Sequence, residues 1–242
     1  PDSQSPIGIL GAGRMGRGIA LAYAFAGVPV VTVDMKSRDS SQQHEFQASF
    51  HHELEIDLDF LIDVGLMQED DREKVSGRIS LVQTEQAAAA LQECDIVYEA
   101  VPEILDVKRS CFDFVNKNLS ASTVIASTTS TFLVSELADM VNEPDRFMNA
   151  HWLNPAHLIP LVEISRMEDV SPSALSKLQQ SLEQIGKVTV LCSASPGYIV
   201  PRIQALAMNE AARLVEEGVA SAEEVDRAVN AGFGPRFAVL GL

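Results

Sequence analysis

A glycine-rich turn between a strand and a helix constrains the fold of this chain more than any other feature. Residues 7–10 are apolar and predict a short strand, and residues 14–26 are rich in small side chains and predict a helix. The turn between them reads Gly11-Ala12-Gly13-Arg14-Met15-Gly16. In such a turn the first glycine permits the tight bend, the second lets the backbone approach a ligand, and the third lets helix and strand pack closely. A second strand at residues 29–33 completes a strand–helix–strand unit.

The residues around this turn predict a bound dinucleotide. Exposed N–H groups at the start of a helix suit a pyrophosphate. Asp34, at the end of the second strand, is placed to accept hydrogen bonds from ribose hydroxyls. Its charge would repel a 2′-phosphate, so we expect NAD rather than NADP, although Lys36 and Arg38 could partly offset that repulsion. A turn that is merely tight is the alternative.

Beyond this unit, strand-like and helix-like segments alternate. Strands are predicted at 79–82, 95–98, 123–126, 147–153, 161–164 and 188–191, and helices at 87–91, 105–119, 135–140 and 173–185. Such alternation predicts an α/β fold, a doubly wound and mostly parallel Rossmann sheet with helices on both faces. We assign residues 1–194 to this NAD-binding domain, with a helical excursion at about 37–77.

The last part of the chain has a purely helical pattern. After a break at 193–197, helices are predicted at 200–217 and 222–231. We assign residues 195–242 to the start of an all-α C-terminal domain. The apolar segment 234–242 predicts that this domain continues and is truncated here.

Composition and charge argue against several classes of protein. The 242 residues are 46% hydrophobic and 21% charged, with no apolar run of membrane-spanning length. The first residues show no basic segment followed by an apolar one, so we expect a cytoplasmic protein. The net charge of −16 opposes binding to nucleic acid or anionic membranes, and an anionic substrate would need its own local cation. Three separated cysteines, and His51 with His52 in no common ligand spacing, predict neither a disulfide nor a metal site.

His151 and Glu163 are the candidate acid–base pair. His151 follows an apolar stretch, and Glu163 lies on what should be an adjacent strand. A neutral imidazole can take a proton from a secondary alcohol while hydride leaves for a nicotinamide. A carboxylate on its far nitrogen would hold the tautomer and stabilise the imidazolium. From spacing alone, a structural histidine and a surface glutamate are the alternatives.

Six motifs in order resemble the 3-hydroxyacyl-CoA dehydrogenase superfamily over nearly the whole chain. They are the glycine turn, residues 98–103 with Lys108, and residues 126–130, 151–155, 160–163 and 196–200. The resemblance implies that His151 is the catalytic base and that Glu163 orients it. It also implies that Ser130 contacts both the substrate and the nicotinamide.

The same resemblance implies further cofactor contacts. Glu103, Lys108 and Asn154 match positions that hold the nicotinamide ribose and carboxamide, and Ala100 belongs to the same cofactor-binding set. Two alternatives stay open. Glu103 and Lys108 could be an exposed pair on a helix, and Ser130 could be the N-cap of the next helix.

Departures from the CoA-using enzymes point to a different substrate. Pro201 stands where those enzymes carry an asparagine near the substrate carbonyl, so Gln204 could supply that contact if it is needed. Pro160 and Arg236 instead resemble the carnitine and gulonate dehydrogenase branches, and a guanidinium suits a free carboxylate. The excursion lacks phosphate-binding lysines and is strongly acidic, which makes it a poor site for CoA. Its acids include Glu53, Glu55, Asp57, Asp59, Asp63, Glu69, Asp70 and Asp71.

These observations lead to three hypotheses. The first is an NAD-dependent oxidoreductase that converts the 3-hydroxyl of an L-3-hydroxy acid, such as carnitine or gulonate, to the 3-oxo acid. Trp152 would then face a substrate cation or lie in the core. The second keeps the chemistry with a 3-hydroxyacyl-CoA substrate, and the third is a non-catalytic NAD-binding protein like the lens crystallins of this superfamily. The resemblance also implies a homodimer built through the helical domain, where Ile203, Leu206, Ala207 and Ala211 form an apolar face.

Overall fold

A single eight-stranded sheet organises the first part of the chain. The computed structural model describes residues 5–241. The strands are β1 (Ile7–Leu10), β2 (Val30–Asp34), β3 (Ile79–Gln83), β4 (Ile96–Glu99), β5 (Val124–Ser127), β6 (Phe147–Trp152), β7 (Leu161–Arg166) and β8 (Val188–Cys192). Their order is β3-β2-β1-β4-β5-β6-β7-β8, and every neighbouring pair is parallel except β6 with β7. The predicted mostly parallel Rossmann sheet is confirmed.

Helices connect and cover these strands. They are α1 (Arg14–Phe25), α2 (Ser40–Asp63), α3 (Arg72–Ser76), α4 (Thr84–Ala90), α5 (Leu105–Asn118), α6 (Val134–Ala138) and α7 (Pro172–Gln184). Residues of β1, β4 and β5 are buried throughout, because helices cover both faces of a parallel sheet. One core cluster includes Ile19 of α1 and Leu178 of α7, and the other includes Phe112 of α5 and Leu137 of α6.

The strand order places a binding crevice at one position of the sheet. β1 lies between β2 and β4, and the chain leaves β1 toward β2 but returns to β4 on its other side. Ligands of open α/β sheets bind where the order reverses, outside the carboxyl ends of the strands. The glycine turn after β1 and the segment after β4 therefore lie next to each other at this edge.

The acidic excursion forms one long helix and a short one. Asp39 is the N-cap of α2 and forms a capping box with Gln42. The Asp39 side chain accepts from the Gln42 backbone N–H, and the Gln42 side chain accepts from the Asp39 backbone N–H. Phe50, Leu54, Leu58 and Leu61 recur at helical spacing and are buried in the core cluster that contains α1. Much of the acidic face is solvated, and Arg72 pairs with three of its neighbours: Glu55, Asp59 and Glu69.

The first compact unit ends at Pro196 and the second begins at Gly197. The second unit contains α8 (Val200–Glu216), α9 (Ala222–Ala228) and α10 (Gly234–Leu240), which confirms the helical C-terminal part of the predicted fold. Pro201 lies in the first turn of α8, where its missing N–H costs nothing. A π-helical turn at Val229–Phe233 separates α9 from α10, so the predicted uniform helix through residue 231 is wrong at its end. Within residues 5–241, no helix combines the length and apolarity needed to cross a membrane.

Candidate active site

The glycine turn has the geometry that a pyrophosphate requires. Gly11 has a φ of 115°, and a Cβ built on Gly16 would lie 1.9 Å from the Gly11 carbonyl oxygen, so both positions exclude a side chain. A Cβ built on Gly13 would meet no described atom within 4 Å. Gly13 is the N-cap of α1 and offers no side-chain cap to the first N–H groups. The open space above Gly13 therefore fits an anionic group held by the helix start.

A cavity of about 620 Å³ extends from this turn along the carboxyl edge of β1, β2 and β4. Most of the predicted cofactor residues line it, and Gly16 lies behind the turn. Its lining consists of Gly11, Ala12, Gly13, Arg14, Met15, Asp34, Met35, Lys36, Arg38, Phe46, Ala100, Val101, Pro102, Ile104 and Val107. Apolar walls, backbone N–H groups and a carboxylate at the end of β2 together fit a dinucleotide.

Asp34 is buried at the β2 end of this cavity. We call this the ribose end, because a carboxylate at the end of β2 is expected to bind the ribose hydroxyls. Arg38 donates to it from Nε at 2.5 Å and from Nη2 at 3.5 Å, and the backbone N–H of Lys36 donates at 3.2 Å. The Arg38 guanidinium also lies 4.0 Å from the centroid of the Phe46 ring. Both carboxylate oxygens of Asp34 thus face cationic or N–H donors.

A buried ion pair joins the end of β4 to α5. Lys108 is 1% exposed and donates from Nζ to both oxygens of Glu99 at 2.9 Å, and Glu103 lies 3.0 Å from the same Nζ. Ser127 at the end of β5 donates to Glu99 at 2.5 Å, and the Val101 N–H donates at 3.0 Å. The alternative of an exposed helix pair is therefore wrong for Lys108.

Glu103 connects this ion pair to the loop after β5. Burial opposes its ionisation, but the Lys108 charge and hydrogen bonds from Ser130 and Thr129 outweigh burial and lower its pKa. The Ser130 N–H donates to Glu103 at 2.6 Å, and the Thr129 hydroxyl donates at 2.8 Å. The N-cap alternative for Ser130 is wrong, because α6 begins at Val134 with Leu133 as its N-cap.

His151 and Glu163 face each other across the antiparallel pair β6 and β7. They are directly opposite in the register, both are buried, and His151 Nδ1 lies 2.9 Å from Glu163 Oε2. β6 runs parallel to β5, with Asn149 opposite Ser127, so His151 lies beyond the end of β5 at the carboxyl edge of the sheet. With Nδ1 in contact with Glu163, Nε2 is the ring nitrogen on the side away from that carboxylate.

Trp152 lies in the core next to His151, so the hypothesis that it faces a substrate cation is wrong. It is 1% exposed and packs against Tyr23 and Tyr98, with ring centroids 6.3 Å and 5.8 Å away. The cation over its ring is Lys187, whose Nζ lies 5.3 Å from the centroid. Trp152 therefore supports the site from behind.

Lys187 holds the turn that follows β6. Its Nζ donates to the carbonyl oxygens of Ala156 at 2.7 Å and Ile159 at 2.8 Å. Desolvation lowers the pKa of Lys187 to about 8. The segment that contains Asn154 is thus fixed to the start of β8.

A second cavity, of about 310 Å³, lies beside Asn154. α1 contributes Arg14, Arg17 and Gly18, α2 contributes Ile56, Asp57 and Phe60, and residues 154–158 close it. Arg17 forms ion pairs with Glu53 and, at 3.0 Å, with Asp57. Arg14 lines both this cavity and the dinucleotide cavity, so both border the start of α1.

The remaining expected residues lie in the second unit. Gln204 is on α8 and Arg236 is on α10, and both side chains are exposed. Sequence reasoning missed Glu99 and Ser127 as members of the site. Glu99 directly follows the predicted strand 95–98 and precedes Lys108 by nine residues, which is too far for the pairing to be read from local spacing.

The chain is similar to proteins of one family over nearly its full length. Residues 6–195 match the family model described as 3-hydroxyacyl-CoA dehydrogenase, NAD binding domain, and residues 197–242 match the model of the C-terminal domain. It is 33% identical over 229 residues to the mitochondrial hydroxyacyl-coenzyme A dehydrogenase of Sus scrofa, which covers 93% of this chain and 71% of that protein.

Two further similarities differ in the reaction that their names state. The chain is 30% identical over 237 residues to the 5-formyl-3-hydroxy-2-methylpyridine 4-carboxylate 5-dehydrogenase of Mesorhizobium japonicum, covering 97% of this chain and 72% of that protein. The solved structure of (S)-3-hydroxybutyryl-CoA dehydrogenase from Ralstonia eutropha matches with a TM-score of 0.81 at 32% identity, covering 95% of this chain and 78% of that one.

Proposed function

This chain belongs to the 3-hydroxyacyl-CoA dehydrogenase family of NAD-dependent oxidoreductases, and we propose that it oxidises the 3-hydroxyl of a small, free L-3-hydroxy acid to the 3-oxo acid. The observation that carries the chemistry is the buried contact of 2.9 Å between His151 Nδ1 and Glu163 Oε2. The pair lies at the same edge of the sheet as the dinucleotide cavity.

The proposed reaction uses this pair as its proton acceptor. His151 Nε2 takes the proton from the substrate 3-hydroxyl, and Glu163 holds the ring tautomer and stabilises the imidazolium that forms. NAD, when bound, would supply the hydride acceptor for the carbinol carbon. In the reverse direction the imidazolium returns the proton to the 3-oxo oxygen. Burial of both side chains excludes water, which strengthens their interaction.

Four further residues are proposed to position the reactants. Glu103 and Asn154 would contact the nicotinamide half of the cofactor, and Ser130 would contact both the substrate hydroxyl and the nicotinamide. Lys108 acts through Glu103, because its ammonium is enclosed by Glu99 and Glu103. The hydrogen bonds that Glu103 accepts from the Ser130 N–H and the Thr129 hydroxyl support a fixed loop at this point.

The charges around the second cavity favour a small acid over a CoA thioester. CoA carries several phosphate charges and would need cations on α1 and α2. Arg17 is already neutralised by Glu53 and Asp57, which leaves Arg14 as the cation in that lining whose charge no described carboxylate pairs. We propose that Arg236 holds the substrate carboxylate and that Gln204 makes the contact that Pro201 cannot. The relative from Mesorhizobium japonicum supports a free acid as substrate, since its name states a pyridine carboxylate.

A 3-hydroxyacyl-CoA is the second candidate substrate. The observation that favours it is the names of two relatives, the dehydrogenases of Sus scrofa and Ralstonia eutropha, which act on CoA thioesters. The chemistry at His151 would be the same for both substrate classes.

A substrate panel tests these proposals. NADH production is measured with carnitine, gulonate, 3-hydroxybutyrate and 3-hydroxybutyryl-CoA, for the wild type and for His151→Ala. We expect turnover of at least one free acid, and its loss in His151→Ala with NADH binding unchanged. Turnover of the CoA thioester alone would overturn the free-acid proposal. NADH binding without turnover of any compound would overturn the enzymatic one and favour the non-catalytic alternative.

We also propose that the second unit forms a homodimer. Its helix α8 exposes large apolar side chains, among them Ile203 at 40%, Leu206 at 68% and Met208 at 64%. Exposed apolar surface of this kind is typical of an interface between copies.

A further inference from the structure

We propose that the ribose end of the dinucleotide cavity also accepts a 2′-phosphate, so that this chain binds NADP(H) as well as NAD(H), with Arg38 and Lys36 as the phosphate ligands. The proposal concerns the cofactor and does not depend on which hydroxy acid is the substrate. Its basis is the arrangement of charges around Asp34.

The first observation is that Asp34 is neutralised. A carboxylate at the end of β2 normally selects NAD because its charge repels a 2′-phosphate. Here Arg38 Nε lies 2.5 Å from Asp34 Oδ2, and the two side chains are 19% and 4% exposed. Because the guanidinium charge lies against the carboxylate charge in a poorly hydrated position, the field that would exclude a phosphate is largely cancelled.

The second observation is the position of the guanidinium. The ribose hydroxyls of a bound dinucleotide lie at Asp34, so a phosphate on the 2′ oxygen would lie next to the group that pairs with Asp34. Arg38 presents five N–H donors in a planar fork suited to phosphate, and two of its nitrogens already point to this end of the cavity. Stacking on Phe46 at 4.0 Å fixes the plane of the fork.

The backbone that carries Arg38 is also fixed. The next residue, Asp39, caps α2 through the capping box with Gln42. The Gln43 side chain donates to the Arg38 carbonyl oxygen at 3.4 Å. A phosphate would therefore meet a preorganised arginine, and ordering it would cost little entropy.

The third observation is the local excess of positive charge. Among the described residues that line the cavity, Arg14, Lys36 and Arg38 are cationic and Asp34 is the acid. This excess occurs in a chain of net charge −16. Arg14 lies in the glycine turn, where the pyrophosphate binds, whereas Lys36 and Arg38 lie at the ribose end, where NAD offers no charge. A 2′-phosphate, with roughly −1.5 to −2 charges at pH 7, would bring that charge to Lys36, which no described carboxylate pairs, and to the N–H groups of Arg38.

Binding measurements without substrate test the proposal. The affinities for NADH and NADPH are measured by titration of nicotinamide fluorescence. For the wild type we expect NADPH to bind no more than about thirtyfold more weakly than NADH. Arg38→Gln should weaken the binding of NADPH by about tenfold or more and keep the affinity for NADH within about threefold of the wild-type value. Lys36→Gln should act in the same direction with a smaller effect.

A matched control and a second variant keep the test decisive. Arg72→Gln removes the same charge from a residue that does not line the cavity, and it should leave both affinities unchanged. If Arg38→Gln does not fold, Asp34→Asn is used in its place. This variant should weaken the binding of NADH and strengthen the binding of NADPH. The NADPH affinity should also fall more steeply with ionic strength than the NADH affinity.

Two results would overturn the proposal. One is a wild-type preference for NADH above about thirtyfold. The other is an equal loss of both affinities in Arg38→Gln, which would make Arg38 a structural partner of Asp34 only. Neither result would bear on the hydroxy-acid proposal, which the substrate panel decides separately.

Discussion

At the scale of single residues, the proposed proton transfer depends on the contact between His151 and Glu163. Both side chains are buried, so an imidazolium formed on His151 in the proposed reaction would have the Glu163 carboxylate 2.9 Å away as its counter-charge. Glu163→Gln keeps the shape and removes the charge. We expect kcat to fall by about 10²- to 10⁴-fold with NADH affinity unchanged, as measured by steady-state kinetics and fluorescence titration. Glu163→Asp should retain more activity than Glu163→Gln, and an unchanged kcat in Glu163→Gln would contradict the role.

The buried ion pair of Lys108 with Glu99 can be tested by its effect on stability. Lys108→Met leaves Glu99 as an unpaired buried carboxylate, so we expect the free energy of unfolding to fall by about 3–5 kcal/mol. The matched control is Lys177→Met, which removes an exposed pair with Asp95 of similar length, 3.0 Å, and should cost less than about 1 kcal/mol. Urea unfolding measures both variants, and equal small losses would show that the burial of Lys108 does not matter.

The site residues differed in how far the sequence could predict them. Asp34 and His151 lie at strand ends, in motifs whose local spacing carries the information. The geometry of Glu99 could not be read in this way, because its partners Lys108 and Ser127 are nine and 28 residues away and come from a helix and a neighbouring strand. The depth of Lys108 likewise depends on how α5 packs, which its own segment does not encode.

At the scale of elements, two glycines in the turn between β1 and α1 are expected to affect stability and NADH binding differently. Gly13→Ala adds a Cβ that meets no described atom within 4 Å, so we expect normal stability but weakened NADH binding, because the methyl group enters the phosphate space. Gly16→Ala would place its Cβ 1.9 Å from the Gly11 carbonyl oxygen and should lower both stability and binding. Thermal unfolding and NADH titration of the two variants provide the comparison. Equal effects on stability would contradict this assignment.

The turn after β6 is expected to respond to pH through Lys187. Its pKa is lowered from 10.5 to about 8 in the folded chain. Between these values the unfolded chain keeps a proton that the folded chain has lost, so this group makes stability rise with pH from about 8 to 10.5. Urea unfolding across this range should show the free energy of unfolding of the wild type rising with pH relative to that of Lys187→Met. A difference independent of pH would contradict the lowered pKa.

The order of elements was predictable, and some of their ends were not. Alternating apolar strands and helices identify the sheet because β1, β4 and β5 are buried on both faces. The end of α9 was missed, because the π-helical turn at Val229–Phe233 is only five residues long and too short to show an apolar period of its own. Such a turn depends on local hydrogen bonding that periodicity does not report.

At the scale of the whole molecule, the proposed homodimer is the property most open to direct measurement. Light scattering of the purified protein should give twice the mass of one chain. Leu206→Glu places a charge on the exposed apolar face of α8 and should shift the protein toward the monomer. Glu217→Gln, a polar change just after that helix, is the control. A monomeric wild type would contradict the proposal.

The position of Trp152 also has a spectroscopic consequence. It is the one tryptophan of the chain, and it is enclosed by Tyr23, Tyr98 and Lys187 directly after His151. A single buried indole emits at short wavelength and shifts to the red when the core opens, so its fluorescence reports unfolding from one known point. Its emission overlaps the absorption of reduced nicotinamide, so binding of NADH should quench it. The protein therefore contains its own optical probe for both the stability and the cofactor measurements.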